Sequence, residues 1–352
     1  MEKDRSGELL HSAAAAGIWD KIDKKGAARA MRKRLSRRRS RRWVYISSAA
    51  AVVVAAVITF FMLTHDRQAE SPFAMREGTT VWQTPDQQVL ISIAGSREYR
   101  IDNDVTAVDF ENGAGSLRRE GSDLIISFAE DVLLPGGDTA LVTLAIPRGE
   151  QYRFTMEDGT VVWLNSETTI SFPARFASGE RVVEFEGEAC FEVARDPERP
   201  FMVKSGGLRW EVLGTVFNIS AYPGCGFVTT TLLEGSIRKE LKTGGESFVL
   251  VPNQQLRYEK TTHHVDVSNV PTGDVVAWRD GVMVYRDMPL AQILTSLGRA
   301  YNYEINIRCG DLKDDRFHVI VNKQEHISIA LDVLKTIGGF AYEINDNHVT
   351  VY

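Results

Sequence analysis

Apolar and polar positions follow three different rhythms along this chain of 352 residues. The first is an unbroken run. Val44 to Leu63 is interrupted only by Tyr45, Ser47, Ser48 and Thr59, and no charged residue or histidine lies between Trp43 and Thr64. At about 1.5 Å per residue, twenty helical residues span roughly 30 Å, the thickness of a bilayer core. The run predicts one N-terminal transmembrane helix over residues 43–64. A cleaved signal peptide needs a shorter apolar segment and small residues at its cleavage site, and Leu63-Thr64-His65 does not supply them.

The second rhythm is short alternation. Gln151 to Met156 alternates polar and apolar, Glu157-Asp158-Gly159 follows, and Thr160 to Leu164 completes a hairpin. Further turn signals stand at Ser178-Gly179, Glu186-Gly187, Gly206-Gly207, Pro223-Gly224, Glu234-Gly235, Gly244-Gly245 and Pro252-Asn253. Between them the spacing predicts strands over Arg181–Phe185, Ala189–Val193, Leu208–Leu213, Val216–Ile219, Phe227–Leu232 and Phe248–Val251. Val89–Ile93 and Leu124–Phe128 read the same way. Many short strands at this interval mean a sandwich, a barrel or a solenoid-like stack.

Near Val275 a third rhythm begins. Strand Gly281–Tyr285 leads to Pro289, which opens a helix with Leu290, Ile293, Leu294 and Leu297 on one stripe. Tyr303–Asn306 is a strand. The unit then repeats: strand Phe317–Val321, a helix from Ser328 carrying Ala330, Val333, Leu334 and Ile337, a stop at Gly338-Gly339, and strand Tyr342–Asn345. Two such βαβ-like units, closed by a hairpin ending at Tyr352, predict a small α+β module with its sheet on one side and its helices on the other. The fold class is therefore mainly β, an all-β domain plus an α+β C-terminal domain, behind one transmembrane helix. The predicted parts are 1–42, 43–64, a β-rich linker or first β layer over 65–140, the all-β domain 141–274 and the α+β domain 275–352.

Charge orients this arrangement. Residues 1–42 hold 14 Lys/Arg and five Asp/Glu, a net of +9, which leaves −15 on the remainder of a chain whose net charge is −6. Eight Arg or Lys side chains between Arg32 and Arg42 abut the apolar run. The positive-inside rule then places 1–42 in the cytoplasm and the C-terminal domains in the periplasm. Ser40-Arg41-Arg42 matches a twin-arginine export signal only weakly within so basic a run. The charges lie against the membrane, so anionic lipid is their nearest partner, and no direct nucleic-acid contact is expected.

Leu10, Ala14, Ile18 and Ile22 recur every four residues, with Trp19 beside them, and predict an amphipathic helix from about Glu8 to Lys24. Its stripe fits either the membrane surface or a groove on another protein. Forty-two residues cannot bury a core, so no stable enzyme stands on this side.

Catalytic chemistry has no signature. GxSxG, HExxH, P-loop and zinc spacings are missing, no cofactor is expected, and the chain is read as a non-enzyme. His263-His264 sits in a polar stretch that a surface loop explains at least as well as a metal does. Asp102, Asp104 and Asp109, and Asp311, Asp314 and Asp315, lack the glycine and terminal glutamate of a calcium loop. Cys190, Cys225 and Cys309 are widely spaced and odd in number. Buried free thiols are the default reading, and one bridge stays open in an oxidising periplasm.

A series of words does carry a resemblance. Pro147-Arg148-Gly149, Asp158-Gly159-Thr160, Val162-Trp163-Leu164-Asn165, Gly187-Glu188-Ala189-Cys190-Phe191-Glu192-Val193, Pro200-Phe201, Leu213-Gly214-Thr215-Val216-Phe217-Asn218 and Leu233-Glu234-Gly235 occur in that order. Together they resemble the iron-dicitrate sensor family, the FecR-type anti-sigma regulators. The two-unit module resembles the C-terminal domain of the Bacteroidetes branch, which is similar to the small signalling domains of secretins and TonB-dependent receptors. Read as residues, the words are structural: Gly187 and Gly214 permit bends or close approach, and Trp163, Phe191, Val193, Val216 and Phe217 read as core.

The resemblance implies an inner-membrane relay. A TonB-dependent outer-membrane receptor touches the periplasmic part, and the cytoplasmic segment controls an extracytoplasmic-function sigma factor. The sensed nutrient would be an iron chelate or a glycan. Gly17-Ile18-Trp19-Asp20-Lys21-Ile22 resembles only the end of the family's longer sigma-binding region, which makes Ile18, Trp19 and Ile22 the expected sigma contacts. A non-enzymatic envelope scaffold and a glycan-binding module are the alternatives.

Overall fold

The computed structural model describes residues 88–93, 97–102, 104–110, 113–129, 140–240 and 247–352. The predicted cytoplasmic segment 1–42 and the predicted transmembrane helix 43–64 lie outside them. Among the described residues no helix is long and apolar enough to cross a membrane.

Eighteen strands build the larger part. They begin with β1 (Val89–Ile93), β2 (Arg97–Ile101), β3 (Ala107–Asp109), β4 (Gly115–Glu120), β5 (Asp123–Phe128) and β6 (Leu141–Ile146). Next come β7 (Tyr152–Thr155), β8 (Val161–Leu164), β9 (Thr168–Pro173), β10 (Arg181–Glu192), β11 (Phe201–Ser205) and β12 (Leu208–Val212). The set closes with β13 (Val216–Ala221), β14 (Phe227–Glu234), β15 (Ile237–Glu240), β16 (Ser247–Leu250), β17 (Gln254–Glu259) and β18 (Val265–Asn269).

Their pairing resolves into two sheets that share one strand. The first runs β2-β1-β6-β9-β10-β11-β12-β15-β16. The second runs β3-β4-β5-β7-β8-β10-β13-β14-β17-β18. Alternate residues point inward, so both sheets feed one apolar core from Val89 to Leu256. Aromatic pairs span the gap: Phe154 stacks on Phe172 at 5.3 Å between ring centroids, and Phe191 meets Phe201 at 6.2 Å. The all-β domain is thus sandwich-like, its two sheets joined through β10 into one large, nearly barrel-like sheet. Residues of β1 to β5 belong to the same two sheets, β1 pairing with β6 and β5 with β7.

The predicted Asp158-Gly159 hairpin forms. Gly159 takes φ +82°, and Asp158 Oδ1 accepts from the Thr160 amide at 3.0 Å. Glu186-Gly187, in contrast, is no turn. The expected strands 181–185 and 189–193 are one continuous strand, β10. Glu186 pairs with Thr169 in the first sheet, and Gly187 pairs with Ala221 in the second. Gly187 adopts φ +112°, and a Cβ there would lie 2.4 Å from Thr168 Oγ1. Glycine therefore lets the strand cross from one sheet to the other without reversing.

After β18 a short helix α1 (Thr272–Val276) and a 3-10 turn (Ala277–Asp280) lead into the C-terminal module. The module comprises β19 (Val282–Pro289), α2 (Leu290–Tyr301), β20 (Glu304–Ile307), β21 (Arg316–Asn322), α3 (Ile327–Gly338), β22 (Tyr342–Asn345) and β23 (His348–Val351). Leu290, Ile293, Leu294 and Leu297 of α2 are all fully buried. Each contributes about 1.5–3 kcal/mol relative to exposure. In α3 the buried stripe is Ile327, Ala330, Leu331 and Leu334, one step from the predicted one, and Val333 and Ile337 sit at its margin. Asn302 (φ +57°) and Gly339 (φ +74°) end the helices in left-handed caps.

The expected single sheet is two. The first strands of the repeated units, β19 and β21, pair antiparallel. Strand β20 runs parallel to β23, which also pairs with β22. The terminal hairpin supplies β23 as a parallel partner for β20, so the second strands of the units are recruited away from the first pair.

Candidate functional site

Ile18, Trp19 and Ile22, the expected sigma contacts, lie outside the described residues. Within them, polar side chains converge where the sandwich meets the C-terminal module.

One half of this junction is the loop Pro147–Gly149 between β6 and β7. Arg148 Nη2 donates to the Tyr303 carbonyl at 2.9 Å. The Gly149 amide donates to the Arg299 carbonyl at 2.8 Å, and Lys323 Nζ donates to the Gly149 carbonyl at 2.7 Å. Gly298, in the last turns of α2, leaves the room for this approach. A Cβ there would lie 2.8 Å from the Tyr303 carbonyl oxygen and 3.3 Å from Arg148 Nη2.

Beneath it lies the carboxylate of Glu188, one residue past the crossover glycine. Oε2 accepts from Asn165 Nδ2 at 2.8 Å and Oε1 from Asn218 Nδ2 at 3.0 Å. Asn165 Oδ1 accepts from Gln151 Nε2 at 2.7 Å and from the Ser166 amide at 2.8 Å. Asn218 Oδ1 accepts from the Trp278 indole at 3.3 Å. Burial raises the Glu188 pKa, opposed by the amides of Asn218 and Asn165 and by the charge of Arg299. The Arg299 guanidinium lies 3.9 Å from the ring centroid of Tyr222, whose hydroxyl donates to the Ser166 carbonyl at 2.9 Å. Burial, with the Glu188 charge second, raises the Tyr222 pKa.

The other half is the linker. Val276 and Trp278 cover Cys190 on the outer face of the second sheet, with Trp163 and Leu233 alongside. Cys190 is buried for this reason although it points away from the sandwich core. Burial pushes its thiol up to about 12. Arg279 Nη1 bonds Glu192 Oε1 at 2.8 Å. The guanidinium groups of Arg279 and Arg153 lie 5.2 and 5.1 Å from the Trp163 ring, and Arg153 also pairs with Asp123. Trp163, expected in the core, is thus a half-buried outer-face residue clasped by two arginines, while Phe191 and Phe217 are core as expected.

Several sequence-level candidates have structural duties. Asp102 Oδ1 accepts from the amides of Asp104 and Val105 and closes a turn, and these bonds lower its pKa. Asp311 and Asp314 belong to a 3-10 turn, Gly310–Asp314. His263 Nδ1 lies 2.6 Å from the Tyr258 hydroxyl on an exposed loop. Among the described residues no group of three His, Cys, Asp or Glu is placed to hold a metal ion. Cys190, Cys225 and Cys309 are free thiols.

Sequence reasoning singled out the words Pro147-Arg148-Gly149 and Gly187-Glu188 but not their joint role. Arg299 and Lys323 carried no signal at all, because their partners Gly149 and Tyr222 lie far away in sequence.

The FecR protein family matches residues 142–238, and the FecR C-terminal family matches residues 282–351. No curated protein matches the chain. Two crystal structures of a candidate anti-sigma factor from Parabacteroides distasonis ATCC 8503 are similar, each at 28% identity and TM-score 0.57, covering 60% of this chain and 98% of that one. The two domains, in this order, together with that structural likeness, establish that the chain belongs to the FecR-type anti-sigma factor family.

Proposed function

We propose that this anti-sigma regulator is a single-pass protein of the inner membrane. Residues 1–42 grip an extracytoplasmic-function sigma factor in the cytoplasm, with Ile18, Trp19 and Ile22 as apolar anchors in a groove of the partner. Residues 43–64 cross the bilayer. The sandwich, with the β-rich segment before it (65–140 and 141–274), and the module (275–352) stand in the periplasm. There the module receives the signalling domain of a TonB-dependent receptor. The role is regulation by contact and not catalysis.

The observation that carries this reading is the order of parts: a +9 segment, an uncharged apolar run of bilayer length, then the two FecR domains. A capture experiment tests it. Residues 1–42 are immobilised and offered, in turn, the extracytoplasmic-function sigma factors of the same organism. Binding is expected, with at least a tenfold loss on replacing Trp19 and Ile22 by alanine. Equal binding by parent and doubly substituted segments would remove those residues from the sigma contact.

A further inference from the structure

The sandwich and the C-terminal module have separate apolar cores. Every buried residue of the sandwich core lies between Val89 and Leu256, and none comes from the module. The module closes its own core with Leu290, Ile293, Leu294, Leu297, Ile327, Leu331, Leu334, Val349 and Val351, all fully buried. What joins the two is polar and partly open to solvent. Arg148 is 34% exposed, and its cross-junction bond ends on the Tyr303 backbone carbonyl. The Gly149 amide, Lys323 Nζ and the Arg299 ring contact stand beside it among the described residues. The apolar cover of Cys190 comes from the linker residues Val276 and Trp278, and the same linker pairs Asp274 with Arg286 of β19.

Two closed cores joined by a few polar contacts behave as two cooperative units. We infer that the module is held on the sandwich by a releasable latch, made by Arg148, Gly149, Arg299 and Lys323, which opens while both cores remain folded. Opening withdraws Arg299 from Tyr222 and from the neighbourhood of Glu188, at the strand that ties the two sheets together. The inference deepens the relay reading and rests on it: a pull on the module reaches β10 through this contact.

One backbone bond reports the latch directly, the Gly149 amide on the Arg299 carbonyl. Residue-resolved hydrogen exchange is measured on the full-length chain in detergent micelles. The Gly149 amide is expected to exchange at least tenfold faster than the amides of β10. Replacing both Arg148 and Lys323 by alanine is expected to speed it at least tenfold more and leave β10 unchanged. If Gly149 exchanges together with β10 in the parent chain, the junction is rigid and the latch is overturned. That parent comparison decides even if the double substitution does not fold. A rigid junction would leave the sigma-capture result untouched, so the two readings fail separately.

Discussion

Asp158 and Arg181 form an ion pair closed to water: Nη1 lies 2.7 Å from Oδ2, and the side chains are 0% and 2% exposed. Further bonds hold both partners, although Arg181 Nη2 has no hydrogen-bond partner and the guanidinium lies 5.3 Å from the Phe201 ring centroid. Arg181 also donates to the carbonyls of Arg199 and Ala194, each at 2.8 Å, and Asp158 accepts from the amide and hydroxyl of Thr160. The aspartate belongs to the β7–β8 turn, and the arginine opens β10. Removing one partner strands a buried charge, which costs about 3–5 kcal/mol. Asp158→Ala is expected to lower stability by about that amount in urea unfolding of the full chain. A loss below about 1 kcal/mol would show that the pair is dispensable.

At Gly187 the prediction concerns the backbone. Alanine there meets both a left-handed φ of +112° and a contact of 2.4 Å with Thr168. Strain and overpacking together should destabilise by at least about 2 kcal/mol. Gly179 has an ordinary φ and open space around it, so Gly179→Ala should be neutral or slightly stabilising, within about 1 kcal/mol. Thermal unfolding of the two variants side by side distinguishes a crossover glycine from a loop glycine.

Glu188 supplies a pH dependence. Its folded pKa is raised above the ordinary glutamate value of 4.5, so the unfolded state gives up this proton first as pH rises. The group's contribution to stability is therefore greatest below about pH 4.5 and is lost as pH climbs through the raised folded value. Other carboxylates titrate as well, so the observable is a difference. On going from pH 7 to pH 5, the parent should gain stability relative to Glu188→Gln. Parallel profiles for the two chains would mean that Glu188 is not held in this desolvated setting.

The thiols should divide by environment. Cys190, buried beneath Trp278 with its pKa at about 12, is expected to resist a thiol reagent at pH 8 until the chain unfolds. Cys225 and Cys309 are partly exposed and should react in the folded chain. Trp278→Ala should make Cys190 reactive without denaturant. Titration with a chromogenic disulfide counts the reacting groups in each case.

Local rules in the sequence expose some of this fold and hide the rest. The Asp158-Gly159 hairpin, the apolar stripe of α2 and the stop at Gly339 follow from turn chemistry and helical period, which act within a few residues. Gly187 misled because a left-handed glycine serves a reversal and a sheet crossover equally well. Only the pairing of Glu186 with Thr169 and of Gly187 with Ala221 separates the two. Trp163 reads as core by its type, yet two arginines clasp it on an outer face, and neither Arg153 nor Arg279 is marked by spacing. The junction was hidden for the same reason. Arg148 meets Tyr303, and Gly149 meets Arg299 and Lys323, across separations that no local pattern encodes. Asn165, Glu188 and Asn218 stand in the words that carry the family resemblance, but the meeting of both amides on the Glu188 carboxylate needs the fold.

In the proposed topology this chain lives in two compartments, with its sandwich and module beyond the membrane and its basic segment within. Alkaline phosphatase folds actively only after export, and β-galactosidase only in the cytoplasm. Each is fused in turn after Tyr352 of the full-length chain. The account predicts an active phosphatase fusion and an inactive galactosidase fusion. The opposite pair of activities would keep the FecR domains in the cytoplasm and contradict the relay.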